Sequence, residues 1–365
     1  EGPFHGFLMA AAHSDSPTFK VRETAEAASA GNTLRLSVEP YGGGVWRGWL
    51  DRPLSVAGRV VIRQGDRLVS RLDRDLLVIP GVAIHMDRSV NKGAELNPAV
   101  DLLPLLGCGK EPGAFRKLIA EAAGVREEHL LSTELFLYPR TKAVQTGLNG
   151  EFIVSPRLDD LQCVFGCLEG FLAAKPGGSL PVLAVFNNEE VGSNTRQGAD
   201  STFLTDVLER IAHGCGLDSE AWKAAVANSF MVSADNAHAI HPAHPEYADK
   251  GEFPVLGGGI VIKYNANQRY TTDAVSGAVF QAICQEAGVP VQRYSNRADL
   301  PGGSTLGNIS TAHLSVPTVD IGLPQLAMHS VCETAGAADT DYLVKAMTAY
   351  FSRDFHRDRD GGIVF

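Results

Sequence analysis

The chain has 365 residues, of which 44% are hydrophobic and 20% are charged; this suits a globular protein of one or two domains and excludes disordered and fibrous classes. Its 42 acidic residues outnumber the 32 lysines and arginines, so we expect no nucleic-acid partner. No apolar run is long enough to span a bilayer and no signal peptide is recognisable, so we expect no membrane partner and a cytoplasmic location.

The first predicted elements are β-strands. The apolar run GFLMAAA at 6–12 predicts a buried strand that ends at His13. The segment RVVIRQGDRLVSRL at 59–72 predicts a hairpin that turns around Gly65 and Asp66. We therefore expect residues 22–148 to form a β-rich domain, inserted between the first strand and the rest of the chain.

From about residue 152, apolar strands alternate with helical patterns. The runs LPVLAVF, SFMVSA and VPTVDIG predict strands, and helical segments separate them. The segment just before LPVLAVF predicts a helix, and its apolar face comprises Leu161, Val164, Phe165, Leu168, Phe171 and Leu172. We predict an α/β fold: a mixed, largely parallel sheet covered by helices on both faces, formed by residues 1–21 and 149–365.

Imidazoles and carboxylates follow the strands of the predicted sheet. Ligands of open α/β sheets gather at the carboxyl ends of the strands, so these side chains are expected to lie close together. Each has a simpler explanation when taken alone, as a helix cap, a first-turn acid or a buried core histidine. Their joint occurrence favours a metal site built from His13, Asp15, Asp159, Asp160, Glu189, Glu190, Asp235, His238 and a loop that leads to His329.

The ligand types narrow the choice of metal. Imidazole and carboxylate without thiolate suit zinc, cobalt or manganese, and two neighbouring ions need a carboxylate between them. Paired glutamates can then divide the work, because one binds metal while its neighbour takes a proton from metal-activated water. This accounts for Glu189 beside Glu190 at the end of a buried-looking strand.

Several strings in one order resemble a known family, the aspartyl aminopeptidases, which are metallopeptidases of family eighteen with a pair of cocatalytic metal ions. The resemblance runs over nearly the whole chain, and its motifs are specific because they are unusual and keep their order. The matching strings are AHSDSP, YGGGVW, AIHMDR, SPRLDDL, NNEEVGS, SADNAHAIHP, IKYNANQRY and LPQLAMHS.

The resemblance implies a role for each member of the metal site. His13 and Asp235 would bind one divalent ion, Glu190 and His329 the other, and Asp159 would bridge them; zinc is the first choice for both ions. Asp15 would accept a hydrogen bond from His13, and Glu189 would be the general base. The peptide bond between Asp159 and Asp160 would be cis.

The resemblance also implies substrate contacts and an assembly. His85, from the inserted domain, would reach the site of a partner subunit and stabilise the oxyanion. His238, Lys263 and Tyr270 would contact the substrate, with Lys263 attracting an acidic side chain. The inserted domain would form dimers, and dimers would build a dodecamer.

The function implied is removal of the N-terminal residue from a short peptide with a free amino terminus, with a possible preference for Asp or Glu at that position. Two alternatives stay open. A metal-dependent deacylase on the same scaffold would use the same ions without an amine-binding pocket. A non-catalytic assembly or cargo protein would not need every site residue intact.

Overall fold

The structure, a computed structural model, describes residues 5–63, 65–69, 72–109, 112–300, 302–303, 305–358 and 362–365. The chain forms two compact units. The first comprises the chain up to Ser16, Ala143–Met328 and Glu333–Phe365, and the second comprises Pro17–Lys142 and His329–Cys332. Among the described residues, no helix combines the length and the apolar composition that a membrane span requires.

The first unit contains three sheets and six α-helices among its described residues. Its strands are β1 (Phe7–His13), β8 (Val144–Thr146), β9 (Phe152–Ser155), β10 (Leu180–Phe186), β11 (Phe230–Ala234), β12 (Ala237–His238), β13 (Ile260–Tyr264), β14 (Val291–Ser295), β15 (Thr318–Gly322), β16 (Pro324–Leu326), β17 (Glu333–Gly336), β18 (His356–Arg357) and β19 (Ile363–Val364). Its helices are α2 (Leu158–Ala173), α3 (Phe203–Gly214), α4 (Ser219–Ala227), α5 (Ala274–Glu286), α6 (Leu306–His313) and α7 (Ala337–Phe351).

The main sheet of this unit has six strands in the order β10-β1-β11-β15-β13-β14. All neighbours are parallel except β13 and β15, which run antiparallel. Helices α2, α5 and α7 contribute to the hydrophobic core on one face, and α3, α4 and α6 contribute to the core on the other. A second sheet has the order β12-β16-β17-β9-β8. The predicted α/β fold class is confirmed.

Strand β1 lies inside the main sheet and is buried along its whole length. Leu8 and Ala10 point into the core formed with α2, α5 and α7, whereas Phe7, Met9 and Ala11 point into the opposite core. A strand that is covered on both faces needs apolar residues at every position, because successive side chains point to opposite sides. The uninterrupted run of apolar residues in this strand has that origin.

Helix α2 departs from the predicted orientation. Four residues of the predicted apolar face are exposed in this chain, at 39% for Leu161, 52% for Phe165, 40% for Leu168 and 67% for Leu172. The buried side carries small residues instead, with Cys163, Gly166, Cys167 and Gly170 toward α7. A Cβ atom at Gly170 would lie 2.5 Å from the Cβ atom of Met347, so the absence of side chains lets the two helices approach closely. The predicted face was therefore wrong in four of its positions.

The second unit has the strands β2 (Thr18–Ala28), β3 (Thr33–Tyr41), β4 (Leu54–Ile62), β5 (Gly65–Val69), β6 (Leu105–Cys108) and β7 (Leu130–Pro139). They form a six-stranded sheet in the order β5-β4-β7-β2-β3-β6, with one α-helix, α1 (Ala114–Ala123), among the described residues of this unit. The predicted hairpin is present, but Ile62 pairs with Gly65 and Val61 pairs with Asp66, so Gly65 and Asp66 belong to β5 and do not form the turn; residue 64 lies outside the described residues.

Candidate metal centre

Three neighbouring parallel strands deliver the candidate ligands to one edge of the main sheet. Strand β1 ends at His13, β11 is followed directly by Asp235, and β10 is followed after two residues by a short 3-10 helix, Glu189–Val191. Strand β1 lies between β10 and β11 with all three running the same way, so their carboxyl ends are adjacent. The first turn of α2 supplies Asp159.

The side chains at this edge converge on the imidazole of His13. Its Nε2 atom lies 3.6 Å from Oδ1 of Asp159 and 3.8 Å from Oδ1 of Asp235. All three residues are buried, and one possible ligand atom from each lies within 4.8 Å of the others. His13, Glu189 and Glu190 form another such set. The structure thus brings together five of the residues that the sequence assigned to the metal site and its base.

The charges of this cluster are those of a cation site. Burial lowers the pKa of His13, but the carboxylates of Asp15, Asp159 and Asp235 outweigh burial and raise it well above its ordinary value. Burial, followed by the charge of Asp235, raises the pKa of Glu189 to about 7. These pKa values are raised because several acids lie close together in a largely buried site. A divalent ion would neutralise the same carboxylates and displace the protons.

Asp15 supports the cluster through two different groups. The Nδ1 atom of His13 lies 3.0 Å from the backbone carbonyl of Asp15 and 3.5 Å from its carboxylate. A carbonyl oxygen only accepts, so Nδ1 donates; once a metal ion displaces the other proton, Nε2 has a lone pair on the side of Asp159 and Asp235. The carboxylate of Asp15 accepts the backbone N–H groups of Glu189 at 3.1 Å and Glu190 at 3.2 Å. Asp15 therefore links His13 to the paired glutamates.

We expect Asp15→Ala to weaken zinc binding by roughly 10- to 100-fold, because residues that orient metal ligands contribute on that scale. Without the carboxylate, the backbone of Glu189 and Glu190 loses its acceptors. Competition with a chelator of known affinity measures the change. Asp341→Ala, which removes an exposed carboxylate from α7, is the matched control. Equal zinc affinity in both variants would refute this role for Asp15.

The backbone around Asp159 is held by groups that the sequence did not indicate. Glu333, a buried acid on β17, accepts the N–H of Asp159 at 3.0 Å, and Ser16 donates its hydroxyl to the carbonyl of Asp159 at 2.8 Å. Asp160 accepts the N–H of His13 at 3.1 Å. The peptide bond between Asp159 and Asp160 is cis, as the resemblance implied. Of the residues that hold this backbone, the sequence had pointed only to Asp160, which is adjacent to Asp159.

The residues assigned to the substrate form a second group in the first unit. The ammonium of Lys263 lies 5.5 Å from the ring centre of Tyr270, and the Tyr270 ring lies 6.2 Å from that of Tyr294. The ring of His238 is also 6.2 Å from that of Tyr294, a residue that the sequence did not suggest. Lys263 and Tyr270 are buried, whereas His238 is exposed.

Lys263 connects this group to the metal ligands. Its side chain is only 3% exposed, and its ammonium donates to the backbone carbonyl of Asn236 at 2.8 Å and lies 4.0 Å from the carboxylate of Asp235. Burial lowers the pKa of Lys263, but the charge of Asp235 and the smaller contributions of Tyr270 and Asp320 together outweigh burial, raise the pKa and keep the ammonium protonated. The lysine thus supplies a permanent positive charge beside Asp235.

Two further residues of the predicted site belong to the second unit. His329, in the second unit, has a left-handed backbone (φ 64°), and its Nδ1 atom lies 3.0 Å from the carbonyl of Gly43. That contact makes Nδ1 the donor and assigns the lone pair to Nε2. His85, in the same unit, is exposed in the loop between β5 and β6. Their roles at the metal site stay predictions.

The donor set fits zinc. Zinc is bound in proteins by imidazole nitrogen and carboxylate oxygen, and catalytic zinc sites use three such protein ligands with a position left open for water or substrate. His13, Asp159 and Asp235 provide one nitrogen and two carboxylates within reach of a single ion. A largely parallel α/β sheet that carries such a set at its strand ends is typical of a metal-dependent hydrolase.

Comparison with known proteins gives the family. The family model described as aminopeptidase I zinc metalloprotease (M18) matches residues 2–351. A relative named "Probable M18 family aminopeptidase 2", from Clostridium acetobutylicum, is 44% identical over 356 residues, which cover 95% of this chain and 82% of that protein. This chain belongs to the M18 family of zinc metallopeptidases, and it is an aminopeptidase. The resemblance found in the sequence is confirmed.

Solved structures agree with this assignment. The chain in the cryo-EM structure of the Ape4 and Nbr1 complex is 36% identical, with a TM-score of 0.91, and the match covers 96% of this chain and 72% of that chain. The chain in the structure of the S. cerevisiae mApe1 dodecamer is 26% identical, with a TM-score of 0.80, and the match covers 96% of this chain and 80% of that chain.

Proposed function

We propose that this aminopeptidase removes the N-terminal residue from short peptides at a site that holds two divalent ions, zinc in the first place and cobalt or manganese as alternatives. The observation that carries the proposal is the convergence of His13, Asp159 and Asp235 at one sheet edge beside Glu189 and Glu190. In this scheme His13 and Asp235 would hold one ion, Glu190 and His329 would hold the other, and Asp159 would be a ligand shared by both.

Zinc, when bound, lowers the pKa of water and polarises the substrate carbonyl. Glu189 takes the proton from the attacking water and returns it to the leaving nitrogen, so that the oxygen of water joins the carbonyl carbon while the peptide C–N bond breaks. The position of Glu189 supports this role, because Asp15 holds its backbone and the glutamate stands beside His13.

The finer substrate assignments extend this proposal. His238, Lys263 and Tyr270 bind the N-terminal residue of the peptide, and His85 of the inserted domain stabilises the oxyanion in the site of a partner subunit. The charge of Lys263 favours an acidic first residue. The chain forms dimers, and the dimers build a dodecamer, which is the assembly formed by S. cerevisiae mApe1. The location that completes the proposal is cytoplasmic.

A panel of fluorogenic aminoacyl substrates tests this function on protein stripped with a chelator and then reloaded with zinc, cobalt or manganese. We expect activity to return with metal, to require a free amino terminus, and to be highest with Asp or Glu as the first residue. Elemental analysis of the zinc-loaded protein should approach two ions per chain. Equal cleavage of amino-acetylated substrates would favour the deacylase, and the absence of any cleavage would favour the assembly protein.

A further inference from the structure

Asp320 is a fully buried carboxylate on β15 with no assigned role in the metal site. One of its oxygens accepts the backbone N–H of Thr271 at 2.5 Å and the hydroxyl of Thr271 at 2.6 Å, and the other accepts the hydroxyl of Thr305 at 2.6 Å. An ionised carboxylate away from water is costly unless such donors satisfy it. The three donors therefore hold this group in one orientation.

Two of these donors belong to the residue that follows Tyr270. Tyr270 and Thr271 lie in the segment between β13 and α5, which forms neither helix nor strand. The same segment makes a further bond to β15, because the hydroxyl of Thr272 accepts the backbone N–H of Asp320 at 2.8 Å. The loop that carries Tyr270 is thus fastened to a central strand of the sheet at two consecutive residues.

The third donor lies elsewhere. Thr305 directly precedes α6. Among the hydrogen bonds of the described residues, none joins Thr305 to the loop that carries Tyr270. There is no spare room beside the carboxylate, since a Cβ atom at Gly307 would lie 2.6 Å from Oδ1 of Asp320. Asp320 therefore has one side that holds the loop and another that holds the start of α6.

We propose that Asp320 is a positioning residue for substrate binding, which acts by fixing Tyr270 against its neighbours Lys263 and Tyr294. The inference rests on the proposed contact between Tyr270 and the substrate. Misplacing a contact group by about 1 Å can change rates by roughly 100-fold, so the attachment of this loop to Asp320 determines how well Tyr270 contacts its ligand. Asp320 itself touches neither the metal ligands nor the substrate in this scheme.

The matched variants Thr271→Val and Thr305→Val test the proposal, because each removes one hydroxyl donor from the same carboxylate. We expect Thr271→Val to raise KM for the best aminoacyl substrate by roughly threefold to tenfold, with kcat and zinc content unchanged. Thr305→Val should leave KM within about twofold. A role in stability alone would make the two variants alike, and equal KM values would overturn the inference.

A double-mutant cycle separates positioning from a general loss of folding. Asp320→Asn replaces one acceptor oxygen by an NH₂ group that faces a donor, and should raise KM by roughly tenfold or more. In a Tyr270→Ala background the same substitution should have little further effect on KM, because its target is absent. Independent effects of the two changes would contradict the proposal. If wild-type protein cleaves no substrate, the proposed function fails; if it is active and only these couplings are missing, the inference alone fails.

Discussion

Glu189→Gln is expected to lower kcat by about 10²- to 10⁴-fold, the usual contribution of a general base, while the protein retains its zinc. Glutamine has the size of glutamate and still forms hydrogen bonds, but it cannot accept the proton of the attacking water. Steady-state kinetics on a free aminoacyl substrate and elemental analysis of the same sample measure the two quantities.

The zinc content decides between two roles for this glutamate. A carboxylate oxygen of Glu189 and possible ligand atoms of His13 and Glu190 lie within 4.8 Å of one another, so the structure also allows Glu189 to bind metal. Loss of zinc together with activity would identify a ligand, and near-normal activity would exclude the base. Glu169→Gln, on an exposed position of α2, is the matched control and should change neither quantity.

Asp159→Ala is expected to abolish measurable turnover and to remove zinc. In the proposed scheme Asp159 would be a ligand of both ions, so one substitution would remove a ligand from each and would leave the repulsion between the two ions without a shared negative charge. Zinc titration followed by elemental analysis tests the outcome, with Asp341→Ala as the control. Retention of two ions per chain would exclude a bridging role for Asp159.

The fold and much of the site could be predicted because both depend on local rules. A strand that is covered on both faces must be apolar at every position, which identified β1, and parallel strands bring the residues beyond their carboxyl ends to one edge of the sheet. His13, Asp235, Glu189 and Glu190 were found in that way. Their grouping needed no knowledge of side-chain geometry.

The orientation of α2 could not be predicted because the pattern of apolar residues gave the opposite answer. Periodicity assumes that the largest apolar side chains face the core, whereas here close packing against α7 selects glycine and cysteine for the inner side and leaves Phe165 and Leu172 exposed. Whether a helix packs by bulk or by close approach depends on its neighbour, which lies far away in the sequence.

The supporting residues escaped prediction for a related reason. Glu333 and Asp320 are ordinary acids in short strands, and their importance comes from backbone N–H groups that the fold brings to them from distant segments. For Asp15, the sequence indicated proximity to His13 but not that its carboxylate holds Glu189 and Glu190. A carboxylate that binds backbone leaves no spacing pattern in the sequence.

The central place of β1 has a consequence for how the chain acquires its structure during synthesis. Phe7 pairs with Leu180, and Leu8 pairs with Phe230. The ribosome therefore completes β1 well before it synthesises the strands with which β1 pairs. Contacts between such distant residues form slowly, and an apolar strand without neighbours is prone to join other chains. We therefore expect refolding from denaturant to be slow and sensitive to protein concentration, and nascent chains that stop before Phe230 to aggregate.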